Sequence, residues 1–254
     1  MTEQVPNTIW SHEVGQEEAP LIVLVHGAMD RSAGMLRLSR KLDDTFRVLR
    51  YDRRGYGRSK PHDGPFAMAD QVADLVELIA GRRAIVFGHS YGGNVALATA
   101  QRHPELVRAV AVYETPLSWL EWWPGFTGRN TEATRGRADD AAERFMRRMV
   151  GDGRWETLPD RVREERRSEG QAFVAEFTDL SLNAPWDPGQ IHVPFVVMCG
   201  ELGRGHHQDG SYYLAEQLSD RDVIVIPNAN HNGPFTHPDP VAAALRDLAA
   251  RAPE

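Results

Sequence analysis

Apolar and polar positions follow two patterns along the first 112 residues, one typical of buried strands and one typical of amphipathic helices. The uninterrupted apolar run at 21–25 predicts a strand buried on both faces, as in a parallel sheet. Between residues 68 and 80, apolar side chains recur at i, i+3, i+4 and i+7 starting from Val72, which predicts an amphipathic helix. The other predicted strands are 8–13, 46–51, 84–87, 107–112, 194–199 and 223–226. The other predicted helices are 35–42, 93–102, 211–218 and 241–250.

This alternation of strands and helices predicts the fold class and the domain organisation. It is typical of an α/β fold with a mostly parallel central sheet flanked by helices. The alternation stops between residues 115 and 190. We interpret that segment as a helical cap inserted into a core made of 1–114 and 191–254, and an ordinary long connection is the alternative.

The interrupting segment has a pattern of its own. Two helical stretches, at about 137–150 and 160–180, are rich in Arg and Glu. Aromatic and methionine side chains of the segment are expected either to line an apolar pocket or to form the core of the cap. These residues are Trp119, Trp122, Trp123, Phe126, Met146 and Met149.

Composition excludes several classes of protein. The chain has 254 residues, a hydrophobic content of 41% and a net charge of −7, which argues against nucleic acid or an anionic membrane as the main partner. Cys199 is the single cysteine, so neither an intrachain disulfide nor a cysteine-rich metal site is possible. Neither a signal peptide nor a bilayer-spanning apolar run is found, so a soluble cytoplasmic protein is expected. Oligomeric state is not predicted.

The six residues 88–93, Gly-His-Ser-Tyr-Gly-Gly, stand between a predicted strand and a predicted helix. A serine between two glycines at this spacing is typical of a nucleophile elbow, in which a strained turn lifts the serine hydroxyl above the sheet. Side chains at Gly88 and Gly92 would not fit such a turn. The pattern therefore predicts that Ser90 is a nucleophile, and a glycine-rich turn with an incidental serine is the alternative.

Four segments together resemble the α/β-hydrolase family, and the similarity covers nearly the whole chain outside the predicted cap. The segments are 26–28, 52–59, 88–93 and 230–231. The resemblance implies an α/β-hydrolase fold and a base for Ser90 on a histidine after the last strand. His231 stands there, and His237, at the start of the final helix, is the rival. The adjacent His206 and His207 have no carboxylate or third histidine at a recognisable metal spacing.

The acid of the expected triad is where the sequence departs from the family. Most members carry an Asp shortly after the strand here predicted at 194–199, but that position holds Gly203. Three carboxylates remain: Glu114 at the end of the preceding strand, Glu201 and Asp209. We favour Glu114, because some hydrolases of this fold take their acid from that strand. A capping or ion-pairing role for Glu114, and a triad without an acid, are the alternatives.

Two backbone N–H groups are expected to form an oxyanion hole. One is that of Tyr91, which follows the nucleophile in the first turn of a helix, where N–H groups are unpaired. The other is assigned to Ala28, with Met29 as the alternative. The loop 52–59 resembles a structural turn of the family, and no catalytic role is assigned to it.

The sequence therefore predicts a cofactor-independent serine hydrolase that acts on a carboxylic ester or thioester of a small, partly apolar molecule. Hydrolysis of a carbon–carbon bond or of a lactone uses the same residues and remains an alternative. A non-hydrolytic lyase or a ligand-binding protein of the same fold is a second class of candidate. Neither a glycine-rich dinucleotide motif nor a phosphate loop is present, so no nucleotide cofactor is expected, and no metal is expected either.

Overall fold

The computed structural model describes residues 8–124, 137–218 and 222–253. The strands are β1 Ser11–Val14, β2 Leu21–Val25, β3 Arg47–Tyr51, β4 Ala84–His89, β5 Val107–Tyr113, β6 Phe195–Gly200 and β7 Val223–Ile226. The helices up to β6 are α1 Leu36–Ser39, α2 Met68–Ile79, α3 Tyr91–Arg102, α4 Ala138–Val150, α5 Asp152–Glu156, α6 Asp160–Arg167 and α7 Gly170–Leu182. A 3₁₀ turn, Pro188–Gln190, precedes β6. The helices after β6 are α8 Gly205–Gln217, α9 Gly233–Thr236 and α10 Pro238–Arg251.

The strands form one sheet of seven, in the order β1-β3-β2-β4-β5-β6-β7. Only β1 is antiparallel to its neighbour, so the prediction of a mostly parallel sheet is confirmed. From β2 the chain passes to β3 on one side, and it then returns to β4 on the other side of β2. The carboxyl ends of β2 and β4 therefore flank a switch point, where open α/β sheets bind their ligands.

The two faces of the sheet form two separate hydrophobic cores. All five residues of β2 are buried, as its continuous apolar run predicts. On one face, Val23 and Val86 pack with the apolar side chains of α2 and α3. On the other face, Ile22 and Phe87 pack with those of α1 and α10. Because helices pack on both faces, the carboxyl edge of the sheet remains accessible, and the candidate site lies there.

The helix predicted at about 160–180 is in fact two helices, α6 and α7. Glu169, at the break, is fully buried and its Oε1 accepts hydrogen bonds from Arg31 and from the backbone N–H of Gly57. The next residue, Gly170, lies against α4 so closely that a Cβ there would be 2.2 Å from the Ala138 carbonyl oxygen. The prediction of a single helix was wrong because these long-range contacts turn the chain. Short α5 and α9 were missed as well, and α8 begins six residues earlier than predicted.

A buried ion pair joins α7 to the loop after β3. Arg53 and Glu176 are both fully buried and form a hydrogen-bonded ion pair. The Glu176 carboxylate also accepts from the hydroxyl of Tyr56 at 2.7 Å and from Nε2 of Gln71 at 3.0 Å. This network supports the expectation that the loop 52–59 is structural. In the described part of the chain, no helix has the length and apolar character needed to cross a bilayer.

Candidate active site

Ser90 is the single residue between β4 and α3, at the carboxyl edge of the sheet. Its backbone, with φ 53° and ψ −125°, lies in a strained region for a non-glycine residue. Both neighbouring glycines are required by close packing. A Cβ on Gly88 would lie 2.3 Å from the carbonyl oxygen of Gly92, and a Cβ on Gly92 would lie 2.3 Å from that of Val25. The turn therefore has the geometry of a nucleophile elbow.

His231 lies in the loop between β7 and α9, and Nδ1 of its imidazole is 2.6 Å from Oε2 of Glu114. Two side chains from the central strands hold this loop. The hydroxyl of Tyr113 donates to the carbonyl of Asn230 at 2.7 Å, and Nε2 of His89 donates to the carbonyl of His231 at 2.8 Å. His231 and Ser90 line the same cavity.

Glu114 is fully buried at the end of β5, and its backbone φ of 47° turns the chain there. Its N–H donates to the carbonyl of Met198 at 3.0 Å. Its side chain is fixed from two sides, because Oε1 accepts from the backbone N–H of Gly200 at 2.9 Å while Oε2 faces His231. The carboxylate is thus oriented by β6 before it meets the imidazole.

The Glu114 carboxylate leaves no room for an aspartate side chain at position 203, where most family members are expected to carry one. A Cβ at this position would lie 2.5 Å from Oε1 of Glu114, so the Glu114 carboxylate occupies the space next to Gly203. The two rival carboxylates lie elsewhere. Glu201 is exposed and accepts from the backbone N–H of Asn228, and Asp209 is exposed on α8.

The structure also separates the two candidate histidines. His237 faces Thr236, with 2.8 Å between Nδ1 and Oγ1, and it lines none of the described cavities that contain Ser90. His231, by contrast, lines both of those cavities and contacts a buried carboxylate.

The two residues proposed to form an oxyanion hole come from two different elements next to Ser90. Tyr91 begins α3, and Ala28 lies in the loop after β2. Ala28 and Ser90 line one cavity of about 220 Å³. The loop after β2 comes close to the elbow, since a Cβ on Gly27 would lie 3.0 Å from the Cβ of Ser90. Met29 has φ 55°, and its carbonyl accepts from Nη1 of Arg166 at 3.0 Å, so α6 helps to hold this loop.

A second cavity, of about 230 Å³, opens from Ser90 beneath the helical segment. Its apolar wall is formed by Trp123, Phe145, Met149 and Phe177. Of the aromatic and methionine side chains expected at a pocket, Trp123 and Met146 each line one of the two cavities, and Met149 lines both. Trp119 instead packs edge-to-face on Trp186, Trp122 is 45% exposed, and Phe126 lies outside the described residues.

Sequence reasoning missed the cluster of histidines around His231. The ring of His207, from the first turn of α8, lies 4.4 Å from the His231 ring, and that of His89 lies 4.8 Å from it. Nδ1 of His207 is 3.8 Å from Oε2 of Glu114. Short-range spacing could not reveal this cluster, because His89 ends β4, His207 lies in the first turn of α8 and His231 lies in the loop after β7.

Two of these histidines, together with Glu114, form a group of side chains whose ligand atoms could hold a metal ion. Ligand atoms of Glu114, His207 and His231 all lie within 4.8 Å of one another, and nitrogen and carboxylate donors suit Zn²⁺. Sequence spacing did not predict this grouping. However, a metal there would have to replace the hydrogen bond between His231 and Glu114. A metal-free site therefore stays our prediction.

The electrostatic surroundings favour a neutral imidazole. Burial lowers the pKa of His231 to about 4, and the positive charges of Arg204 and then His206 act in the same direction. The titratable or charged groups around the ring are Glu114, His89, His206, His207 and Arg204. A neutral imidazole with its Nδ1–H held by a carboxylate leaves Nε2 free to accept a proton.

Residues 22–244 match the sequence profile of the alpha/beta hydrolase family, so the chain belongs to this family and is a hydrolase. The 2-(acetamidomethylene)succinate hydrolase of Mesorhizobium japonicum is 37% identical over 232 residues, which cover 84% of this chain and 81% of the relative. The pimeloyl-[acyl-carrier protein] methyl ester esterase of Chromobacterium violaceum is 28% identical over 241 residues, covering 91% and 94%. The solved structure of a thermophilic esterase from Thermogutta terrifontis has a TM-score of 0.74 at 20% identity, covering 96% and 93%, which shows the shared fold.

Proposed function

We propose that the protein is a cofactor-independent serine hydrolase of small-molecule acyl compounds. In this proposal Ser90 is the nucleophile, His231 the general base, Glu114 the acid that orients it, and Ala28 and Tyr91 the oxyanion donors. The observation that carries the proposal is the contact of His231 with buried Glu114 beside a cavity that also contains the strained Ser90. Three unrelated chain segments converge there, which a structural role for Glu114 alone does not explain.

The reaction follows from these positions. Nε2 of His231 takes the Ser90 proton while Oγ bonds to the acyl carbon, and the carbonyl electron pair moves to the oxygen, where the two N–H groups stabilise it. The intermediate then collapses, the bond to the leaving group breaks, and His231 protonates that group. Water, deprotonated by His231, attacks the acyl-enzyme and releases the acid, after which the proton returns to Ser90.

The bond we propose is a carboxylic ester or thioester, with a carbon–carbon bond or a lactone as alternatives for the same residues. The Chromobacterium relative is named as a methyl ester esterase, and the Mesorhizobium relative as a hydrolase of a substituted succinate. We further propose that residues 115–190, of which 125–136 lie outside the described residues, form a cap, because Phe145, Met149 and Phe177 line the cavity at Ser90. A cytoplasmic location is also proposed, in keeping with the single buried thiol of Cys199.

A fluorophosphonate probe tests the nucleophile directly. We expect one adduct per chain on Ser90 by mass spectrometry, no adduct on Ser90→Ala, and normal labelling of Ser118→Ala, which replaces a buried serine that lines neither described cavity at Ser90. Labelling and ester hydrolysis should both survive dialysis against EDTA. An unlabelled wild-type protein would instead favour a lyase or a ligand-binding protein.

The acid side of the pH profile tests the base. We expect kcat/KM to stay level from pH 8 down to pH 6 and to fall only below about pH 5, because burial lowers the pKa of His231 and the free enzyme loses its base only when that imidazole is protonated. The measurement is hydrolysis of a neutral ester across this range, with circular dichroism to show that the fold persists. A half-maximal value at pH 7 or above would contradict the assignment.

A further inference from the structure

Two arginines line the cavity beneath the helical segment, in a protein whose net charge is −7. Arg148 of α4 and Arg204, which precedes α8, line it together with His206, His207 and His231. No Asp or Glu side chain is among its described lining residues. Lining charges of one sign attract ligands of the opposite sign.

The two arginines are not engaged in ion pairs with the described residues. Nη2 of Arg204 is 3.5 Å from the backbone carbonyl of Arg148, and the Arg148 guanidinium lies 5.6 Å from the centre of the Phe145 ring. Neighbouring arginines behave differently: Arg147 pairs with Glu143, and Arg167 pairs with the same glutamate and with Asp140. Apart from this one long contact of Arg204, the guanidinium groups of Arg148 and Arg204 make no hydrogen bond to the described residues.

The two positive charges act on each other and on the proposed base. Burial lowers the pKa of Arg148, and the charge of Arg204 lowers it further. The same charge of Arg204 lowers the pKa of His231. An anion between the guanidinium groups would relieve their mutual repulsion and gain charge-assisted hydrogen bonds from both.

We propose that Arg148 and Arg204 bind a carboxylate at the far end of the acyl substrate, while the reacting carbonyl lies at Ser90. The inference rests on the proposed function and names its substrate class: a monoester or monothioester of a dicarboxylic acid. The apolar side chains Phe145, Met149 and Phe177 lie in the same cavity and suit the hydrocarbon chain between the two ends. The planar, forked guanidinium matches the planar carboxylate.

The test compares two esters that differ only in this terminal charge: mono-4-nitrophenyl adipate and its uncharged amide counterpart, 4-nitrophenyl adipamate. We expect wild-type kcat/KM to be about 10- to 100-fold higher for the adipate ester, after the uncatalysed rate is subtracted. Arg148→Gln and Arg204→Gln should each lose most of this preference, through KM, because each variant loses far more kcat/KM on the adipate ester than on the adipamate ester. Arg144→Gln is the matched control, since Arg144 is an exposed arginine of the same helix that lines neither cavity.

Free adipate provides a readout that does not depend on turnover. It should inhibit the hydrolysis of the adipamate ester competitively, adipamide should not, and inorganic phosphate at equal concentration separates carboxylate recognition from general anion binding. Each arginine variant should weaken adipate inhibition about tenfold or more. Inhibition by phosphate as strong as that by adipate would overturn the carboxylate assignment.

Two outcomes would separate this inference from the proposed function. If wild type hydrolyses both esters equally well, or if the arginine variants lose activity equally on both, the carboxylate site is wrong while Ser90 catalysis stands. If Ser90→Ala still hydrolyses the adipamate ester, the proposed function is wrong, and the adipate inhibition series still decides whether the arginines bind a carboxylate.

Discussion

Glu114→Gln is expected to lower kcat for ester hydrolysis by about 10⁴-fold while leaving the fold unchanged. Glutamine has the same shape, and its amide oxygen can still accept from the N–H of Gly200. Its NH₂ group would then face His231 and donate to Nδ1. The proton would move to Nε2, and the imidazole could no longer accept the proton of Ser90. The loss therefore comes from the wrong tautomer and from an imidazolium without a counter-charge.

Glu201→Gln is the matched control for this substitution. The Glu201 side chain is exposed, and among its described contacts it accepts only the backbone N–H of Asn228, so its replacement should change kcat less than threefold. Steady-state kinetics on one neutral ester gives both numbers, and thermal melting of each variant checks the fold. If Glu201→Gln were the damaging change and Glu114→Gln the mild one, the assignment of the acid would be refuted.

Glu176→Gln is expected to cost about 3–5 kcal/mol of unfolding free energy, which is a large part of the stability of a typical domain. The substitution leaves the guanidinium of Arg53 fully buried without its counter-charge. The other acceptors of the Arg53 guanidinium, the carbonyls of His26 and Gly27 and Oε1 of Gln71, are neutral. Breaking one partner of a buried pair is costly because the remaining charge stays desolvated.

The measurement is urea unfolding followed by circular dichroism, with the exposed pair of Glu156 as the comparison. Glu156 contacts Arg147 and Arg163 at the surface, and its side chain is 55% exposed. Solvent screens such pairs, so Glu156→Gln should shift the urea midpoint by only a small fraction of the shift caused by Glu176→Gln. Equal midpoint shifts for the two variants would show that the Arg53–Glu176 pair is not a major stabilising contact.

Local patterns predicted most of the fold. Continuous apolar runs, a weak alternation at 8–13 and helical spacing located the seven described strands and most of the longer described helices. Burial on both faces of a parallel sheet and on one face of a helix imposes such patterns directly. The helix at 160–180 was predicted as continuous because its break depends on the buried carboxylate of Glu169 and on the close approach of Gly170 to α4. Contacts between segments that are far apart in the sequence do not produce a periodic pattern of apolar residues, so the sequence does not reveal them.

The sequence by itself determined the elbow around Ser90, since strand, turn glycines and helix are consecutive residues. It also predicted that the base is the histidine in the loop after the last strand. Only the tertiary structure decided which carboxylate faces His231. The separation of Glu114, Glu201 and Asp209 from His231 along the sequence does not give their distances from it in space. The cavity with Arg148 and Arg204 likewise exists only after α4 and α8 pack at the carboxyl edge of the sheet. Residues that are far apart in the sequence become neighbours only when helices and strands pack together, and a local sequence pattern cannot predict which of them do.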